Sequence, residues 1–253
     1  MKTSISFPIS VVSLIIIFTS CKKDDHIHVP SNTVYSSPVP VGEDSIRSFI
    51  TTENGQPVSI GLEIGENALN GLPTDTTPGK PDYDYEIPLP ETDNITGVDH
   101  IEVDWNPFGH DPYPIYGIPH FDFHFYYVNK ADQAAVIPGP DTVTVSPEFI
   151  PKDYISSGAA VPDMGTHWFD STASEFHGVP FTATFIYGFY HGNFSFVESM
   201  ITKGFLETHP DYSAAVKQPQ AFQRSGFYAT NYQAKYDGNK KLYTVTLGGL
   251  SKH

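Results

Sequence analysis

Cysteine occurs once in 253 residues, which excludes a disulfide framework and every cysteine-based zinc motif. Basic residues are scarce as well: 14 Lys and Arg stand against 29 Asp and Glu, a formal charge of −15. That charge repels a phosphate backbone and removes nucleic acid from the expected partners. No apolar run reaches the ~20 residues that a membrane-spanning helix needs. The common enzyme signatures are missing too. There is no His-Glu-x-x-His, no Gly-x-Ser-x-Gly, no phosphate-cradling glycine loop, no dinucleotide fingerprint and no EF-hand spacing. What the chain has in quantity is aromatic: 15 Tyr, 18 Phe and 2 Trp, too much apolar surface for an extended disordered chain. With 22 Pro and 20 Gly it is over-punctuated for a helical bundle and suited to strands joined by many turns.

The one short apolar run follows Lys2 and reads Val11-Val12-Ser13-Leu14-Ile15-Ile16-Ile17-Phe18. It has the length of a signal-peptide core and ends at Thr19-Ser20, small residues set directly before Cys21. This is similar to a bacterial lipoprotein signal, with residues 1–20 removed and Cys21 acylated. Lys22-Lys23-Asp24-Asp25 resembles the charged start of Bacteroidota lipoproteins. The expected address is the bacterial cell envelope, with the membrane as a partner through Cys21; ordinary secretion with an incidental cysteine is the other reading. Residues 21–40 carry Pro30, Ser31, Ser36, Ser37, Pro38 and Pro40 without a hydrophobic period, the composition of a flexible tether.

From there the chain is patterned continuously, so residues 41–253 are expected to form a single mainly-β domain, with α+β as the other possibility. The expected architecture is an antiparallel sheet, sandwich or barrel with long loops and one or two short helices. Residues 57–64 alternate, and one or two helical turns follow over 66–72. Residues 73–97 look like a long irregular loop, 100–105 and 118–128 read as strands, and a short helix fits 131–136. Two hairpins are expected: 181–190 with 194–200 around His191-Gly192-Asn193, and 232–236 with 242–247 around Asp237-Gly238-Asn239.

The most informative segment is Pro119-His120-Phe121-Asp122-Phe123-His124-Phe125-Tyr126. Alternate side chains of a strand share a face, so Phe121, Phe123 and Phe125 are expected in a core. His120, Asp122, His124 and Tyr126 then line the other face. Two imidazoles and a carboxylate in such a row are ligands suited to Zn, Fe, Mn or Cu. A polar strand face without a ligand is the bland alternative. Charge sharpens the choice: residues 81–200 hold 18 Asp or Glu, two Lys, no Arg and seven of the 11 histidines. A carboxylate buried there has almost no fixed cation to pair with, and an unpaired buried charge is costly. His167, in Met164-Gly165-Thr166-His167-Trp168, stands beside what looks like a tight glycine turn and offers a third imidazole. His110, in the turn-rich loop 105–112, is a further candidate, with a plain loop residue as its counterpart reading.

Glu198 completes the expected set. Parity along 194–200 places it on one face with Phe194, Phe196 and Met200, an odd position for a carboxylate. The expected centre is therefore one transition-metal ion held by His120, His124, His167 and Glu198, with Asp122 and His110 nearby. A strand end emerging into solvent is the alternative for Glu198.

Taken in order, Gly61–Pro73, Trp105–Pro112, Pro119–Tyr126, Met164–Trp168 and Tyr187–Thr202 resemble an uncharacterised family of bacterial extracytoplasmic proteins. Its structurally described relative comes from a thermophile and is controlled by an extracytoplasmic-function sigma factor and its anti-sigma partner. The resemblance implies one domain and an extracytoplasmic address, and it carries over no catalytic residue. A metal-binding lipoprotein is thus the leading expectation, with enzymatic activity left open. Its rivals are a non-enzymatic envelope stress protein and a carbohydrate binder whose Tyr and Trp stack on sugars. Homo-oligomerisation stays open on the sequence alone.

Overall fold

The computed structural model describes residues 32–75, 83–92 and 95–253. Cys21, the leader and the first half of the expected tether lie outside the described residues. The chain is mainly β, with antiparallel sheets, two short helices and no closed barrel among the described residues. Seven strands form one sheet in the order 32–35, 44–53, 56–65, 242–248, 231–237, 211–215, with 39–41 also paired to 44–53. Eight form the other, in the order 83–87, 100–106, 120–126, 193–202, 183–190, 165–170, 154–161, 139–140. Phe227–Tyr228 and Ser251–Lys252 make a small third pair.

Side chains alternate between the two faces of each strand as strand geometry demands. Ile60, Leu62 and Val245 from the first sheet meet Val103, Phe121, Phe123, Phe125, Val197 and Ile201 from the second in one apolar core. Side chains of this size stabilise by roughly 1.5–3 kcal/mol each when fully buried. The Phe121, Phe123 and Phe125 face is therefore the sandwich face of the eight-stranded sheet. Its opposite face, carrying His120, Asp122 and His124, is buried too. Two small apolar clusters cover it. Tyr116, Phe181, Ile186 and Met200 lie at one end, and Tyr126, Val128 and Phe196 at the other.

Several local expectations need correction. Residues 32–35 and 39–41, assigned to the tether by composition, are strands hydrogen-bonded to Asp44–Glu53. Their Pro and Ser sit at a sheet edge, where a missing N–H is tolerated. The loop expected over 73–97 contains the strand Tyr83–Ile87, paired to His100–Asn106. His167 follows the turn at 162–164 that Gly165 (φ 119°) closes, but it lies inside the strand Gly165–Asp170, at a register shift between Thr166 and Trp168. Phe194 does not share the Glu198 face. Gly188 pairs with Phe196 but Phe189 with Phe194, so Ser195 is an extra residue and the parity flips there. Phe194 joins the sandwich core while Phe196 covers the far face.

The turn at 191–193 is a hairpin as the sequence indicates: His191 (φ 47°) and Gly192 (φ 77°) both take the left-handed backbone of a two-residue turn. Lys130–Ala134 is a short helix, capped by the Asn129 side chain accepting from the Asp132 N–H.

Candidate metal centre

Register places the polar side chains of four strands on one surface. Within the eight-stranded sheet His120 pairs with Asn106 and Thr202, Asp122 with Asp104 and Met200, and His124 with Glu102 and Glu198. His167 enters from the next strands, because Trp168 turns into the core against Phe189 and leaves its neighbour on the other face. His110 arrives on the loop after Asn106. Gly109 makes that approach possible: at φ 66° a Cβ there would sit 2.1 Å from the Tyr116 carbonyl oxygen. The His110 N–H donates to that same carbonyl at 3.2 Å.

These side chains fall into two groups, each with ligand atoms within 4.8 Å of one another: His110, His120 and Asp122, and His124, His167 and Glu198. The four residues expected around one ion therefore do not meet at one point. His120 and His124 are four residues apart on a strand, about 13 Å of extended backbone, and each joins a different group. Glu198 is 1% exposed and lies against His124 and His167, as its shared face with His124 requires.

In the first group, His120 Nδ1 donates to the Ile118 carbonyl at 2.7 Å and His110 Nδ1 to the Asp111 carbonyl at 2.6 Å. A carbonyl can only accept, so both Nδ1 atoms carry their protons; a ring that is neutral then presents Nε2 as a lone pair, and a charged one donates from it, as His110 does to Asp122 Oδ2. His120 Nε2 lies 3.2 Å from Asp122 Oδ1, and His110 Nε2 lies 3.2 Å from Asp122 Oδ2. Asn106 Nδ2 donates to Asp122 Oδ2 at 2.8 Å and fixes the carboxylate.

In the second group, His124 Nε2 and His167 Nε2 each lie 3.5 Å from Glu198 Oε2. His124 Nδ1 stands 3.1 Å from Asp104 Oδ2, outside hydrogen-bonding alignment. A carboxylate behind a ligating imidazole is the arrangement that orients metal-bound histidines. Asp104, 1% exposed, is the site residue that sequence reasoning missed. Its alternation with Ile101 and Val103 was visible, but its register against Asp122 was not.

Hydrogen bonding singles the site out. Eight buried side-chain polar atoms among the described residues have no hydrogen-bond partner. Six of them are Asp104 Oδ2, His120 Nε2, Asp122 Oδ1, His124 Nδ1, His124 Nε2 and Glu198 Oε2. Orphaned buried polar atoms are rare and call for a missing partner. The neighbouring row shows what satisfaction looks like. Glu102 accepts from Gln133 Nε2 at 2.7 Å and pairs with Lys130, and His100 engages Asp99 and Gln133 through its two nitrogens.

Burial and mutual charge shift the titrating groups. Burial pushes Glu198 up to about 8 and Asp104 up to about 7. Burial acts against a charged His124, but Glu198 and Asp104 outweigh it and raise the ring to about 10. The same contest raises His110 to about 9, where Asp122 wins over burial. Asp122 resists burial through His120 and His110 and stays well below the usual carboxylate range. His167 is driven down to about 3, first by burial and then by His124 and His110, so it is neutral at any physiological pH.

His177 Nε2 donates to the Ser171 carbonyl at 3.1 Å, His191 stacks on Tyr190, and His209 stacks on Tyr236; none of the three belongs to either group. No helix among the described residues is long and apolar enough to cross a membrane.

Comparison with known proteins gives one match. A family model described as "TTHB210-like: Hypothetical protein TTHB210" matches residues 52–105. That stretch runs from the end of the 44–53 strand through the 100–106 strand, and it includes Asp104 but none of the four clustered histidines. No curated protein and no solved structure matches the chain. Over residues 52–105, which include Gly61–Pro73, the chain is similar to an uncharacterised family.

Proposed function

We propose that this protein is a metal-binding lipoprotein of the bacterial envelope, with a transition-metal ion held by His124, His167 and Glu198. The observation that carries the reading is the set of buried atoms on His124 and Glu198 that have no hydrogen-bond partner. The distances support it. Ligands about 2.0–2.1 Å from a tetrahedral ion stand about 3.3 Å apart. The separations of 3.5 Å from Glu198 Oε2 to both imidazoles are close to that edge. Two imidazoles and one carboxylate form a donor set used for zinc and for ferrous iron, with Mn and Cu as further candidates. Three protein ligands leave a coordination position open, the pattern of a reactive rather than a purely structural centre.

A proton-only network is the rival, since His124 and His110 are both raised by neighbouring carboxylates. Elemental analysis of the full chain, purified without a histidine tag, separates the two. Stoichiometric metal that His124→Ala removes supports the centre. A folded, metal-free wild type that takes up none when offered Zn²⁺, Fe²⁺, Mn²⁺ and Cu²⁺ supports the protons.

The envelope address rests on the apolar run 11–18 and Cys21. The similarity to an uncharacterised family extends it to expression governed by an extracytoplasmic-function sigma factor and its anti-sigma partner. Transcript levels that ignore envelope stress would remove that extension. Assembly into homo-oligomers belongs with the same set of proposals, and sedimentation of the purified chain decides it.

A further inference from the structure

We propose that the protein holds a second, separate and more exchangeable metal ion, bound by His110 Nε2, His120 Nε2 and the Asp122 carboxylate. The proposal uses the reading above only in counting the His124 group as the first site.

Tautomer logic carries it. Both imidazoles spend their Nδ1 protons on backbone carbonyls, at Asp111 and Ile118. His120 in its neutral state therefore turns a lone pair toward Asp122 Oδ1 at 3.2 Å, while His110 Nε2 is hydrogen-bonded to Asp122 Oδ2 at 3.2 Å. At His120 lone pair faces lone pair in a buried setting, which is repulsive, and a cation between them reverses the sign. His120 is 0% exposed and Asp122 4%, and His120 Nε2 and Asp122 Oδ1 have no hydrogen-bond partner. Both 3.2 Å separations match the edge of about 3.3 Å expected around a tetrahedral ion. The rings meet edge-on, 4.7 Å apart at 77°, and the ligand atoms of the group all lie within 4.8 Å of one another. The outer shell is complete as well: two carbonyls fix the imidazoles and Asn106 fixes the carboxylate.

The two groups differ in access. Side chains of His124 and Glu198 are each 1% exposed, and that of His167 is 16% exposed. His110 is 40% exposed and is the one ligand carried by a loop instead of a strand. An ion in this group has a route to solvent past the partly exposed His110, so it should load and leave first.

The test uses the full chain without a histidine tag, loaded with Zn²⁺, dialysed and then challenged with a chelator. Wild type is expected to hold two Zn²⁺ per chain and to release them in two phases. His110→Ala should hold one and lose the fast phase, with its circular dichroism unchanged because His110 lies on a loop. Asp122→Asn should behave the same way. One Zn²⁺ in wild type that survives His110→Ala and is lost in His124→Ala would overturn the second ion and leave the first intact. Two ions that both survive His110→Ala and Asp122→Asn would overturn this ligand set. An ion lost in His110→Ala but retained in His124→Ala would uphold this site and overturn the inner one.

Discussion

Glu198→Gln separates a ligand from a structural carboxylate because the two roles predict opposite effects. The side chain keeps its shape, so packing against Phe196 and Met200 is preserved. Burial raises Glu198 to about 8, so desolvation offsets what its pairing with His124 returns and its charge adds little net stability to the metal-free chain at neutral pH. The variant treated with chelator should then match wild type to within about 1 kcal/mol. Zn²⁺ tells a different story. At 100 times its dissociation constant a ligand stabilises the fold by about 2.7 kcal/mol, and a tenfold loss of affinity cuts this to about 1.4 kcal/mol. Losses of tenfold or more follow from disturbing residues around a metal, and an anionic ligand falls at the strong end. Thermal melts at fixed Zn²⁺, with and without chelator, should thus show at least half of the metal-induced stabilisation gone and the metal-free melt unmoved. Full metal-induced stabilisation in the variant would refute the reasoning. So would a metal-free variant destabilised by several kcal/mol, since Glu198 would then be a paired structural group.

Phe123→Ala should do the reverse, costing ~3–5 kcal/mol by denaturant melt while the folded fraction keeps its metal, because Phe123 is 0% exposed on the sandwich face. Metal affinity should climb with pH between about 6 and 8, since His124 is held charged up to about 10 in the metal-free chain and must shed its proton to bind. Calorimetry in buffers of different ionisation enthalpy reads that release directly, and zero net protons would contradict it. Cys21→Ala should move the protein from the membrane to the soluble fraction in a host that processes lipoproteins, and soluble wild type would sink the anchor.

Strand periodicity made much of the site legible. His120, Asp122 and His124 alternate with three phenylalanines, and a period of two assigns them to one face without further knowledge. Glu198 was visible for the same reason, as a carboxylate in an apolar row. What the sequence hid was anything that depends on pairing between distant strands. Asp104 gains its place behind His124 only through the register of 100–106 against 120–126. The extra residue at Ser195 reversed the side of Phe194, and a bulge leaves no mark in a run of alternating residues. The burial of the polar face was invisible as well, because its cover comes from Tyr116 and Phe181 in loops far apart in sequence. The edge strands 32–35 and 39–41 were masked by their Pro and Ser, residues that an edge accepts and a central strand rejects. Only the separation of His120 from His124 was available from arithmetic, about 13 Å between positions i and i+4 on a strand; which ligands join each of them depends on register.

Anomalous diffraction from crystals of the full chain grown with Zn²⁺, recorded on both sides of the zinc absorption edge, addresses the central claim directly. The account predicts a peak about 2.0–2.1 Å from His124 Nε2, His167 Nε2 and Glu198 Oε2 together. A fully ordered His124, His167 and Glu198 cluster with no anomalous density between them, or with Zn²⁺ bound only at surface residues, would contradict it.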